Sequence, residues 1–223
     1  ATSVTSPASR RAIVQALAIF ACTCRSGVSA FSIASRYSVC VTRRQHHPGA
    51  DRPILPLLWL LSDRRNDAGI ETALRSLPSG SGFVFRHYHL DPNTRRARFD
   101  ELAAIARQCG HMVILSGDED WGADGHYGPA TRPRDGLFLA TAHNADELAA
   151  AVAAGAKGIF LSPVFPTSSH PGAKTLGIDA FHALARQSPV PVIALGGMTH
   201  ERARELGWSR WGAIDGLGST NVA

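Results

Sequence analysis

The sequence lacks the cysteine and histidine patterns of a metalloprotein. Its four cysteines, Cys22, Cys24, Cys40 and Cys109, form no CxxC pair and do not match the spacing of zinc sites. Its ten histidines are scattered along the chain, and none belongs to an HExxH motif. We therefore predict reduced thiols, and histidines that lie on the surface or in loops rather than around a metal.

The main part of the chain also lacks an excess of positive charge. The net charge is +5, but residues 1–53 carry seven arginines and one aspartate, whereas the remainder carries sixteen basic and seventeen acidic residues. Without a basic face or a stacking motif, this argues against nucleic acid as a partner. A hydrophobic content of 44% and a mean hydropathy of −0.04 indicate a globular protein rather than a disordered or membrane protein.

The first fifty residues are rich in serine and arginine. Arg10 and Arg11 precede the apolar stretch AIVQALAIFACTC, which is the order of a secretory signal, but the bulky Phe20 disfavours a cleavage site. A flexible extension is the simpler interpretation. We predict that residues 1–50 form such an extension and that residues 54–223 form one domain in the cytoplasm.

From Pro53 onward, short apolar runs alternate with helix-compatible segments, which is typical of parallel strands and covering helices. The predicted strands are Leu57–Leu61, Phe83–Tyr88, His111–Leu115, Asp124–Tyr127, Leu137–Thr141, Gly158–Ser162, Val192–Leu195 and Gly212–Asp215. The predicted helices are Ile70–Leu77, Thr94–Gln108, Asn144–Ala154, Ile178–Gln187 and Thr199–Leu206. Eight strands predict an α/β fold, the (βα)8 TIM barrel.

The barrel predicted in this way is degenerate. Only DEDWG is available for a helix between the third and fourth strands, and only GPATRPRD between the fourth and fifth, so the βα units after strands 3 and 4 are shortened. A truncated C-terminal helix follows the eighth strand. We consider that the apolar stretch Ala12–Ala21 covers this part of the barrel wall instead.

Two segments predict an anion-binding site at the carboxyl ends of the strands. Gly158–Gly177 reads GIFLSPVFPTSSHPGAKTLG, and Val190–Thr199 reads VPVIALGGMT. Each apolar run ends in a loop rich in hydroxyls or glycines, whose backbone N–H groups and hydroxyls can surround a phosphate. With the upstream TAHNADELAAAVAAGAKG, these segments resemble the thiamine phosphate synthase and thiazole tautomerase family of TIM barrels.

The resemblance implies which residues hold the phosphate of hydroxyethylthiazole phosphate. The hydroxyls and glycines of the two loops supply Thr167, Ser169, Gly196 and Gly197, and the backbone of Ile214 and Asp215 completes the site. Asp215 stands where the synthases have serine. A carboxylate directed at a phosphate is repulsive, so either its side chain turns away while its N–H donates, or the ligand differs.

Synthases of this family join the thiazole to hydroxymethylpyrimidine diphosphate and expel diphosphate with the help of Mg²⁺. The resemblance assigns the diphosphate to Arg86, to Thr141 in place of a serine, and to His170 in place of a lysine. At the positions where the family has lysine and glutamine, this sequence has Tyr88 and Val84. The family's metal-binding acids are depleted, and Asp118 is the substitute that we predict for a magnesium ligand, with Asp120 as the alternative.

His143 opens a second interpretation, because it follows the fifth strand at the barrel mouth and can carry a proton near neutral pH. In the similar thiazole tautomerases, a histidine at this point moves the proton. We therefore predict a transferase of thiamine biosynthesis, a thiamine phosphate synthase with catalytic Arg86, His143 and His170. A tautomerase, or a non-catalytic protein that binds thiazole phosphate, is the alternative. The expected partners are the two phosphorylated small molecules, without nucleic acid or membrane.

Overall fold

The computed structural model describes residues 54–168, 172 and 174–217. Eight parallel strands pair in sequential order, and the eighth pairs with the first, so the sheet closes into a barrel. The strands are β1 (Leu58–Leu61), β2 (Gly82–Phe85), β3 (Met112–Ser116), β4 (Gly125–Pro129), β5 (Phe138–Ala142), β6 (Gly158–Leu161), β7 (Val192–Ala194) and β8 (Trp211–Ala213). The helices are α1 (Ile70–Ser76), α2 (Pro92–Gln108), α3 (Ala145–Ala153), α4 (Gly177–Ala185) and α5 (His200–Leu206), with one turn of 3₁₀ helix at Asp67–Gly69.

The predicted TIM barrel is therefore confirmed. Each predicted strand and helix is present, and its ends differ from the prediction by at most three residues. The largest difference is at β2, which ends at Phe85 rather than at Tyr88. His87 has a φ of +32°, a value that an extended strand does not accommodate, so the chain turns away from the sheet there.

The barrel interior is filled by side chains that alternate along the strands. Trp59, Val84, Ile114, Leu139 and Phe160 belong to this buried cluster. The other face of each strand packs against the helices in a second, larger cluster. Gly82 makes room for the tryptophan, because a Cβ there would lie 2.2 Å from Cε3 of Trp59. The interior is thus packed below the strand ends, and the ligand site must lie above it.

Side-chain caps fix where three helices begin. The carboxylate of Asp91 accepts hydrogen bonds from the N–H groups of Asn93 and Thr94, at 3.1 and 3.2 Å, at the start of α2. Asn144 caps α3, and Thr199 caps α5. These short polar side chains satisfy N–H groups that have no partner within the helix. Since α3 and α5 begin just after β5 and β7, the caps also position the loops at the barrel mouth.

The predicted degeneracy is confirmed after β3 and β4, where the described chain has loops and no helix. Trp121 lies over the first gap and contacts Phe99 of α2, with ring centroids 5.4 Å apart. The guanidinium of Arg134 lies 5.1 Å from the ring centroid of Phe138 and covers β5. No helix follows β8 as far as Leu217, where the described residues end, and the hypothesis about Ala12–Ala21 falls outside them. Within the described ranges, no helix has the length and apolar character that crossing a membrane requires.

Candidate active site

A cavity of about 640 Å³ opens at the carboxyl ends of the barrel strands. Eight residues predicted from the sequence line it together: Arg86, Thr141, His143, Thr167, Gly196, Gly197, Ile214 and Asp215. Active sites of TIM barrels lie at this end, where loops from several strands converge. Of the other three, Ser169 and His170 lie outside the described residues, and Asp118 lines a neighbouring cavity.

The loops after β6 and β7 form one wall of the cavity and are joined by backbone hydrogen bonds. The N–H of Val164 donates to the carbonyl of Leu195 at 2.9 Å, and the N–H of Phe165 donates to that of Gly196 at 3.1 Å. Gly196 and Gly197 have φ values of +92° and +63°, which glycine adopts without strain. These hydrogen bonds hold the turn close to the loop after β6 that contains Pro166 and Thr167, which we name the Pro-Thr loop, and both line the cavity.

Arg202 also lines the cavity, although it was not predicted from the sequence. It lies on α5, and its Nη1 donates to the carbonyl of Gly197 at 2.5 Å while its guanidinium lies 5.2 Å from the ring centroid of Phe165. A residue in the first turn of a helix directs its side chain back toward the helix start. The spacing of Arg202 three residues after the cap Thr199 is the signal that could have found it.

The strand β8 completes this wall. Asn66 donates from Nδ2 to the carbonyl of Ile214 at 2.8 Å. Because C=O and N–H point in opposite directions across a trans peptide, the N–H of Asp215 is turned to the other side. The carboxylate of Asp215 pairs with Arg65 at 3.0 Å, which compensates its negative charge. Together, Thr167, Gly196, Gly197, Asp215 and Arg202 form a surface that we name the anion cradle.

Arg86 lies across the cavity, just after β2. Its backbone N–H donates to Ser62 Oγ at 2.7 Å, and its Nη2 lies 3.6 Å from Asp63 Oδ2. Within the described part of the chain, its buried Nε has no hydrogen-bond partner. The ring centroid of Tyr88 lies 5.6 Å from the guanidinium carbon. A mostly buried guanidinium with remaining donor capacity is suited to an anionic ligand.

A buried chain of hydrogen bonds supports Arg86 from behind. His87 contacts Ser62 Oγ through Nδ1 and Asp67 Oδ1 through Nε2, each at 2.8 Å. Burial lowers the pKa of His87, although the hydrogen bond to Asp67 opposes this. A neutral ring therefore donates from Nε2 to Asp67 and accepts at Nδ1 from Ser62, whose oxygen in turn accepts from Arg86. This support was not predicted from the sequence.

His143 lines the cavity on the side of β5, and Glu147 orients it. Nδ1 of His143 lies 2.7 Å from Glu147 Oε2, and its backbone N–H donates to the same oxygen at 3.0 Å. Burial works against ionisation of Glu147, but the hydrogen bonds from His143 and Asn144 and the electrostatic attraction to His143 together outweigh it, and they lower the pKa of Glu147. Because an ionised carboxylate only accepts, the proton of a neutral His143 resides on Nδ1, and Nε2 is the basic nitrogen.

Asp118 does not fit the predicted role of magnesium ligand. Its Oδ2 lies 2.9 Å from Arg132 Nη2, and its Oδ1 pairs with Arg134. The hydrogen bonds from Arg134 and Arg132 hold the pKa of Asp118 below its usual value. Among the described residues, no three His, Cys, Asp or Glu side chains are grouped so that they could hold a metal ion. The residues present therefore do not fit the magnesium site that the resemblance implies.

The sequence of this chain is similar to those of known thiamine phosphate synthases. A family described as thiamine monophosphate synthase matches residues 133–213. A protein of Aquifex aeolicus, provisionally named thiamine-phosphate synthase 2, is 39% identical over 166 residues, which cover 67% of this chain and 89% of that protein. The thiamine-phosphate synthase of Thermosynechococcus vestitus is 28% identical over 156 residues, but the match spans 63% of this chain and 44% of the relative, less than half its length.

A solved structure supports the fold. The thiamine phosphate pyrophosphorylase from Pyrococcus furiosus superposes with a TM-score of 0.62 at 20% identity, over 74% of this chain and 89% of that one. The Aquifex relative is similar to this chain in sequence as well, because the match covers most of that relative's length. The chain belongs to the thiamine monophosphate synthase family.

Proposed function

We propose that this protein is a thiamine phosphate synthase, a transferase that joins hydroxymethylpyrimidine diphosphate to hydroxyethylthiazole phosphate and releases diphosphate. The observation that carries the proposal is one cavity with anion-binding groups on two sides. The anion cradle follows β6, β7 and β8, and Arg86 follows β2. Since β2 and β6 are four strands apart in a ring of eight, they face each other across the mouth.

The anion cradle suits the phosphate of the thiazole. Its donors are the N–H of Asp215, the hydroxyl of Thr167 and the guanidinium of Arg202, and groups of this kind bind phosphate. The trans peptide directs the Asp215 N–H away from Asn66. The pairing of Asp215 with Arg65 supports this assignment, because the arginine compensates the negative charge of the carboxylate. A cavity of about 640 Å³ falls within the usual range of roughly 300–1,000 Å³ for small-molecule sites.

The diphosphate belongs on the opposite side, at Arg86. In the reaction, the thiazole nitrogen donates its lone pair to the methylene carbon of the pyrimidine, and the bond from that carbon to the diphosphate oxygen breaks. The electron pair of that bond leaves with the diphosphate, whose growing negative charge the buried guanidinium stabilises. Burial raises the pKa of the cavity residue Tyr127 to about 12 and so disfavours ionisation of its hydroxyl further.

We assign this activity to residues 54–223 and place it in the cytoplasm. Both substrates are multiply charged phosphate esters, which do not cross a lipid bilayer unaided, so the enzyme must share their compartment. The binding partners in this proposal are these two small molecules.

The proposal is tested by assaying thiamine phosphate formation with the purified chain and both substrates, against a heat-inactivated control. We expect Arg86→Gln to lower kcat/KM by about 100-fold, the usual cost of removing one electrostatic donor from a transition state. Arg75→Gln is the matched control, because Arg75 is exposed in the last turn of α1, away from the strand ends. Equal rates for both variants would remove Arg86 from the mechanism.

A further inference from the structure

The barrel mouth is rich in carboxylates that are already occupied by arginines. Asp63 pairs with Arg65 and Arg86, Glu119 pairs with Arg95, and Asp215 pairs with Arg65. Asp118 pairs with both Arg132 and Arg134. A magnesium ion needs oxygen ligands that are available to it, and a carboxylate held by a guanidinium is a poor candidate. These four acids are all engaged in ion pairs with arginines.

Arg134 is the member of this set with the most unusual surroundings. Its side chain is only 17% exposed, and its buried Nε has no hydrogen-bond partner among the described residues. It lines a second cavity that shares Tyr88, Tyr127 and Gly128 with the main one. Arg86 and Arg134 thus line two adjoining cavities, and in each the buried Nε has no hydrogen-bond partner among the described residues.

The rest of the chain adds little that could complete a metal site. The segments outside the described residues contain a single carboxylate, Asp51. A divalent ion such as Mg²⁺ is usually bound through one or two carboxylates together with the phosphates of the substrate. Here the described carboxylates that line the two cavities, Asp118, Glu119 and Asp215, are each paired with an arginine. Arg86 and Arg134 are themselves paired with carboxylates, but each keeps one N–H group without a partner among the described residues.

We propose that the guanidinium groups of Arg86 and Arg134 bind the diphosphate group of the pyrimidine substrate in place of a divalent metal ion, so that this protein works without magnesium. The inference rests on the proposed synthase function. The bond changes are those given above: the carbon–oxygen bond to diphosphate breaks, the carbon–nitrogen bond to the thiazole forms, and no further reactant is needed. Two guanidinium groups supply the positive charge that the departing diphosphate requires.

The direct test is calorimetric titration of the full chain with inorganic diphosphate, once in EDTA and once in excess Mg²⁺. We expect binding in EDTA, with an affinity within about threefold of that in Mg²⁺. Binding that is seen in Mg²⁺ alone, or no binding in either buffer, would overturn the proposal. This comparison uses the unmodified protein and does not depend on the folding of a variant.

Variants then locate the site. Arg134→Gln should weaken diphosphate binding in EDTA by at least tenfold, as expected for the loss of a charge-assisted hydrogen bond, and Arg134→Lys should restore part of it. Arg132→Gln is the matched control, because Arg132 pairs with the same Asp118 but lines neither cavity. Equal losses for Arg132→Gln and Arg134→Gln would show a general charge effect and contradict the proposal.

The synthase assay in EDTA separates this inference from the proposed function. Turnover in Mg²⁺ that vanishes in EDTA leaves the function in place and refutes the metal-free site. Absence of turnover in both buffers, with diphosphate binding in EDTA that depends on Arg134, refutes the function and keeps the site. We expect turnover in EDTA within about threefold of that in Mg²⁺.

Discussion

Replacing Gly197 by alanine tests whether the turn after β7 determines phosphate binding. A Cβ at this position would lie 2.4 Å from the carbonyl oxygen of Pro166. Cβ atoms essentially never approach another heavy atom closer than 3.0 Å, so the Pro-Thr loop must move away by about 0.6 Å. Since displacements of about 1 Å within a site can cost 10²-fold, we expect the affinity for thiazole phosphate to fall by roughly 10- to 100-fold.

Gly207→Ala is the matched control for this prediction. Gly207 has the same φ of +63°, but a Cβ there would meet no atom within 4 Å. Both variants pay the left-handed backbone penalty of about 1–2 kcal/mol in the free energy of unfolding. Calorimetric titration with thiazole phosphate and urea unfolding of both variants separate the two effects. If Gly207→Ala loses as much affinity as Gly197→Ala, or if Gly197→Ala binds normally, the assignment of the anion cradle is wrong.

Three further changes test other parts of the account. Burial lowers the pKa of His87, so near pH 6.5 this histidine binds a proton in the unfolded chain but not in the folded chain. The free energy of unfolding therefore falls as the pH drops through 6.5. Urea unfolding at about pH 7.5 and 5.5 should show a larger loss for the wild type than for His87→Gln, and identical losses would contradict the neutral ring. His143→Asn should change synthase turnover by less than about threefold. In a tautomerase, the same change would lower turnover of the carboxylated thiazole by roughly 10²-fold. A loss of roughly 10²-fold in synthase activity would instead show that His143 is an essential proton carrier. Asp91→Ala should lower the free energy of unfolding by about 1 kcal/mol through loss of the α2 cap, with kcat/KM unchanged, and an unchanged urea midpoint would count against the cap.

The barrel could be predicted from the sequence because its local signals agree with one another. Buried parallel strands appear as short apolar runs, and caps such as Asn144 and Thr199 mark the helix starts that follow them. The glycine turn could be predicted for the same reason. Two adjacent glycines after a strand indicate a turn with positive φ values, which glycine adopts without the strain that other residues would have.

The charged surroundings of the site could not be predicted in this way. Asp118 was expected to bind a metal, but its partners Arg132 and Arg134 lie in another loop, and loops without a regular period give no signal of which side chains meet. His87 was assigned to a strand, because sequence does not reveal a φ of +32° that the contacts with Ser62 and Asp67 hold.

The central claim is that this barrel mouth joins two phosphorylated substrates. The measurement that tests it most directly is the simultaneous quantification of thiamine phosphate and released diphosphate from the purified chain with both substrates. We expect the two products in equal amounts, and neither product when either substrate is omitted. Diphosphate released without thiamine phosphate, or no product above the heat-inactivated control with or without Mg²⁺, would contradict the account.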